Sequence, residues 1–140
     1  MQLRIFAFAG ALCLLAAGAA DARVVHFMAM LKGADEVPPN ATTGTGMVDA
    51  SLDTDAKTFH YAASYSGLTG PAVAAHFHGP AMAGMNAPPM VPMTTLVSPI
   101  TGTASLSDGQ IADLLAGKWY FNVHTAAHPG GEIRGQLIEK

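Results

Sequence analysis

The chain has 140 residues, ten acidic and seven basic, for a formal charge of −3 with the histidines neutral. A protein that binds nucleic acid clusters its Lys and Arg, so this sparse, scattered set argues against that class, and no basic amphipathic stretch points to docking on a membrane surface. At this length one domain with a substantial core is expected, burying about 65–70% of the surface that the unfolded chain exposes.

The first stretch reads as a targeting signal. Arg4 supplies a positive start, Ile5 to Ala20 is apolar throughout and too short to span a bilayer, and Ala20-Asp21-Ala22 has the small-x-small form of a cleavage site. The sequence therefore predicts a cleaved signal over 1–22 and a single domain over 23–140, periplasmic or secreted and not inserted in a membrane after cleavage. Leu12 before Cys13 is not the small residue that a lipidation site needs. Cys13 is the only cysteine, so the domain relies on its core, and on any metal it binds, rather than on disulfides.

After residue 22, short runs rich in Val, Phe, Tyr and Thr alternate with turns rich in Gly, Pro, Asn and Asp, the pattern of an antiparallel all-β domain. Val25 to Lys32 reads as a strand, and Gly33 to Asn40 as a loop, because Pro38 and Pro39 cannot donate to a ladder. Gly44 to Leu52 and Thr58 to Ser66 are the next strands, joined by an Asp53-Thr54-Asp55 turn. Val73 to His78 follows, with Val73, Ala75 and Phe77 facing the core, and then a Met-, Pro- and Gly-rich loop runs from Gly79 to Pro92. Thr94–Val97 and Gly102–Leu106 are short strands. Ser107 caps a helix near 108–116 whose apolar face is Ile111, Leu114 and Leu115 and whose stop is Gly117. Trp119–His124 and Glu132–Ile138 are the last strands, with Glu132 and Arg134 locking the second of them by an ion pair or hydrogen bonds. The fold expected is a Greek-key-like β-sandwich or barrel with one short helix.

All six histidines, at 26, 60, 76, 78, 124 and 128, fall after the signal. Side chains alternate faces along a strand, so His76 and His78 share one face while Phe77 takes the other, and Tyr120, Asn122 and His124 share a face opposite Trp119, Phe121 and Val123. If the two strands are neighbours, His76, His78 and His124 converge to the short metal–nitrogen distances that ligands need, and His128 in the following turn offers a fourth nitrogen. His26 and His60 are expected as plain surface residues, and the alternative for the three-histidine set is a hydrogen-bonded polar cluster. Copper is the metal favoured, as Cu(I) or Cu(II), with zinc second. Met82, Met85, Met90 and Met93 follow His78 closely, and thioether sulfur prefers Cu(I). His26, Met28 and Met30 share a strand face and form a second soft patch. The other reading of any single Met is a filler of gaps in the core.

Gly33-Ala34-Asp35-Glu36-Val37-Pro38-Pro39, Tyr65 to Gly70, Ala75-His76-Phe77-His78-Gly79-Pro80-Ala81 and the run from Asn122 to Leu137 together resemble the chordin-type CHRD family. The resemblance implies an all-β sandwich-like fold, an extracytoplasmic setting and binding in preference to catalysis. The family's recurrent histidines correspond to His76, His78 and His124, whereas His128 and the Met-rich loop depart from its pattern. Three functions are carried forward: copper binding for storage, delivery or tolerance; a structural or adhesion module; and a small copper enzyme acting on an oxidant such as superoxide. The sequence names no catalytic residue. A metal centre at a sheet end could lie within one chain or between the subunits of a homodimer.

Overall fold

The computed structural model describes residues 23–140, so the signal expected over 1–22 lies outside the described residues. Nine strands form one antiparallel sheet: β1 (Val24–Lys32), β2 (Thr45–Asp53), β3 (Thr58–Ser66), β4 (Ala72–His78), β5 (Pro89–Pro92), β6 (Ile100–Ser105), β7 (Tyr120–Thr125), β8 (Ile133–Gln136) and β9 (Ile138–Glu139). Their order is β5-β4-β7-β8-β1-β2-β3-β6, with β9 paired to β1. The first three strands form a meander. The chain then crosses to the far side of the sheet for β4, returns to β6 beside β3, and closes with β7 and β8 between β4 and β1.

This order puts β3 and β4 far apart along the sheet, yet Phe59 of β3 meets Phe77 of β4 edge to face at 5.1 Å. The sheet has curled into a nearly closed barrel around an aromatic centre of Phe59, Phe77, Trp119 and Phe121. Alternation supplies the lining: Val25, Phe27, Ala29 and Leu31 from β1, Val48 and Leu52 from β2, and Phe121, Val123 and Ile133 from the closing strands are all buried.

Among the described residues the one α-helix, α1 (Asp108–Leu115), is set by its caps. Ser107 Oγ accepts from Gln110 N and Gln110 Oε1 accepts from Ser107 N, a reciprocal capping box. At the other end Gly117, at φ +70°, donates to Leu114 O. Leu114 is fully buried, while Leu115 is exposed, so the apolar face is narrower than its sequence implies.

Four local expectations are corrected. Thr94–Val97 forms no strand; the added edge strand is β5, inside the stretch read as a loop, where prolines at both ends suit an edge position. Val73 is exposed, because a register shift between Ala72 and Ala74 turns it outward. The last segment breaks at Leu137, whose N–H bonds Trp119 O, and β9 turns away to pair with β1. Glu132 and Arg134 form no ion pair with each other, and only the hydrogen-bond form of that expectation holds: Glu132 accepts four bonds from Thr42 Oγ1, Thr69 N, Thr69 Oγ1 and Thr125 Oγ1 at 2.6–2.8 Å, and Arg134 donates to Asn86 and Met85.

A candidate metal centre on strands 4 and 7

Strands β4 and β7 are adjacent, with His76 opposite Asn122, His78 opposite Tyr120, and Ala74 opposite His124. His76 and His124 are therefore diagonal neighbours on the outer face, and His78 lies one step further along β4. Nitrogen atoms of His76, His78 and His124, one from each ring, all lie within 4.8 Å of one another. His76 Nδ1 is 3.3 Å from His124 Nε2. Three nitrogens around an ion with bonds of 2.0–2.1 Å stand about 3.3–3.6 Å apart, so the first pair is already at that spacing and small side-chain rotations bring in the third.

Two of the rings are oriented from behind. His78 Nδ1 donates to Ala87 O at 2.9 Å, and His124 Nδ1 donates to Pro129 O at 2.9 Å. A carbonyl can only accept, so each of these rings is held with its proton on Nδ1 and its lone pair on Nε2. His78 is 7% exposed, and its Nε2 has no protein partner. An unpaired buried nitrogen facing two other imidazoles is poorly accounted for by a hydrogen-bonded cluster and fits a ligand to an ion.

The electrostatics agree with this. Burial lowers the pKa of His76, and the neighbouring His124 and His78 lower it further; burial is likewise the main cause of the lowered His78 pKa, opposed by its bond to Ala87 and by the neighbouring Asn122 side chain. Both rings are thereby kept neutral at neutral pH, which leaves lone pairs available for a metal.

The support beneath the histidines was not read from the sequence. His78 stacks on Tyr120 at 4.7 Å and 5°, and the Arg134 guanidinium lies 3.5 Å from the centroid of the same Tyr120 ring. Arg134, 1% exposed, donates from Nη1 to Asn86 Oδ1 at 3.0 Å and from Nη2 to Met85 O at 2.6 Å. Tyr120 Oη bonds the backbone of Ala87. The column Arg134–Tyr120–His78 thus clamps the 85–87 segment, and that segment holds His78. Strand alternation had already placed Tyr120 with His124 on one face; which strand would supply the cation over the ring depends on the β7–β8 register.

Asn122 lies between His78 and Glu36. Glu36 is 5% exposed with Oε1 unpaired, and burial, opposed by Arg134, pushes its pKa up to about 7. Its space exists because residue 131 is glycine: at φ +127° a Cβ there would sit 2.3 Å from Glu36 Oε1 and 2.7 Å from Asn122 Nδ2. A raised folded pKa contributes stability below the unfolded value near 4.5 and loses it as pH rises through about 7. Glu36→Gln, which copies the protonated form, is therefore expected to match the parent at pH 5 and exceed its stability by about 2 kcal/mol at pH 8.5, measured by denaturant melts.

The other sequence candidates stay apart. His128 sits in the β7–β8 turn, its backbone N–H and C=O both bonded to Thr125, and it does not join the three-histidine group. His26 and His60 are exposed on other strands. Met82 and Met85 are exposed on the loop after β4, whereas Met90 and Met93 pack against the core, so the two Met-x-x-Met pairs have different surroundings. Among the described residues no helix is long and apolar enough to cross a membrane.

None of the curated proteins and none of the solved structures is significantly similar to the chain. Residues 27–137, by contrast, match the family model of the CHRD domain, a span that runs from the second inward residue of β1 to Leu137, just before β9, and includes all three clustered histidines. This chain belongs to the CHRD domain family.

Proposed function

We propose that this is an exported metal-binding protein that holds copper at His76, His78 and His124 and serves in its storage, delivery or tolerance. The observation that carries the reading is the convergence of three imidazoles, two of them fixed through Nδ1 by backbone carbonyls, which leaves the lone pair on Nε2. When bound, the ion supplies a redox-active or Lewis-acidic centre; the protein orients the rings and keeps them neutral. Copper is favoured over zinc because Met82 and Met85 stand exposed on the loop that anchors His78, and thioethers take Cu(I) in preference to Zn²⁺. With His128 outside the group, three histidines leave coordination positions open, which supports a second reading as a small copper enzyme acting on an oxidant.

The test is metal titration of stripped, untagged protein followed by melting. One equivalent of copper is expected to bind at the three histidines and, at a free concentration about 100-fold above Kd, to raise Tm by about 10 °C. His76→Ala/His124→Ala is expected to lose that equivalent and the rise in Tm that it brings. Parent protein that binds no copper, or a double variant that binds it unchanged, overturns the proposal and leaves a structural module. Superoxide or peroxide turnover by the loaded protein decides between holding the metal and using it.

A further inference from the structure

The outer face of β1 and β2 carries soft ligands that the histidine centre does not use. Strand alternation turns Met28 and Met30 of β1 and Met47 of β2 outward. The register sets Met30 directly opposite Met47, while Met28 faces Asp49, which Lys140 engages. Met30 is 60% exposed, Met47 39%, and Met28 half-buried. Further along the same sheet, β3 and β6 present Ser64, Thr101 and Thr103 outward, small polar residues of the kind expected on a solvated strand. Neither burial nor strand propensity explains long thioethers at two exposed, mutually opposed positions, since Thr and Val are the better strand formers.

Their spacing suits an ion. Directly opposed residues have Cβ atoms about 4.5–5.5 Å apart and diagonal ones about 7–8 Å, both within reach of methionine's flexible chain, so the sulfurs of Met28, Met30 and Met47 can meet at one point. Thioether sulfur selects soft monovalent ions, and the carboxylate beside these methionines, Asp49, is engaged by Lys140. We propose that Met28, Met30 and Met47 form a second site, for Cu(I), on a face of the barrel two strands removed from β7. This site does not depend on the reading of the histidines.

The test is anaerobic Cu(I) titration against a chromophoric chelator, with parent protein, His76→Ala/His124→Ala and Met30→Leu/Met47→Leu. Leucine keeps the volume and apolar character of the face. The histidine variant is expected to retain one equivalent of Cu(I), and the methionine variant to lose one, with that equivalent weakened about tenfold or more. Should the histidine variant fold poorly, the ε-methyl resonances of parent protein titrated with Ag(I), a redox-inert analogue of Cu(I), give the same information: those of Met28, Met30 and Met47 are expected to move. Unchanged Cu(I) stoichiometry and affinity in Met30→Leu/Met47→Leu, or methyl shifts confined to Met82 and Met85, overturns the site. If Cu(I) is lost in the methionine variant and untouched in the histidine variant, this site stands and the histidine reading falls.

Discussion

Glu132→Ala is expected to lower the stability of this protein by about 3–5 kcal/mol, more than truncating any one of its hydrogen-bond partners would cost. Glu132 is fully buried immediately before β8, and its carboxylate accepts from Thr42, Thr69 and Thr125, which lie on three separate stretches of chain. Asn40 Nδ2 adds a bond to Glu132 O at 2.9 Å. Removing the carboxylate strands three hydroxyls and an amide at once. Burial opposes ionisation, but the four donated bonds prevail and hold the pKa down to about 2. A depressed folded pKa contributes stability above the unfolded value near 4.5 and loses it as pH falls through about 2. That shift corresponds to about 3 kcal/mol, so the parent should lose stability between pH 4.5 and 2 by this amount more than Glu132→Gln does, as read from urea melts across the acid range. Parallel curves for the two proteins would show that Glu132 is not the acid-sensitive group.

Arg134→Lys is expected to weaken metal binding at the histidine centre by about 10–100-fold while leaving the protein folded. Lysine keeps the charge but cannot donate as a planar fork to Asn86 and Met85 while lying flat on Tyr120. The 85–87 segment then loses its clamp, and with it His78 loses the fixed carbonyl that holds its proton on Nδ1. Arg134 touches none of the three histidine nitrogens that would bind an ion, so its role is positioning. A spectroscopic signature separates this from general destabilisation: the Cu(II) spectrum should broaden or shift in Arg134→Lys under conditions where the variant is fully folded. An unchanged affinity and an unchanged spectrum would mean that His78 is held by Ala87 alone.

Much of the barrel is legible along the chain because its cause is local. Alternation in Val25–Leu31 and Phe121–Val123 identifies inward residues with no knowledge of partners, and the Ser107/Gln110 capping box marks the helix start through bonds that span three residues. Where local sequence failed, a distant contact prevailed. Pro89–Pro92 becomes a strand because β4 offers an edge, and the final segment breaks because Leu137 is drawn to Trp119 O. A one-residue register shift exposes Val73, and periodicity alone carries no sign of it.

The same division holds for the centre. That His76 and His78 share a face, that His124 shares one with Tyr120 and Asn122, and that the chain belongs among CHRD domains all follow from the residues in order, since period-two geometry and motif spacing are properties of the chain. That β4 lies beside β7, that His128 remains in its turn, that Met30 is set opposite Met47, and that Arg134 serves the Tyr120 ring rather than Glu132 are consequences of the nearly closed barrel. Pairing and register between strands far apart in sequence depend on how the whole sheet closes on its aromatic core, and no window of local sequence carries that information.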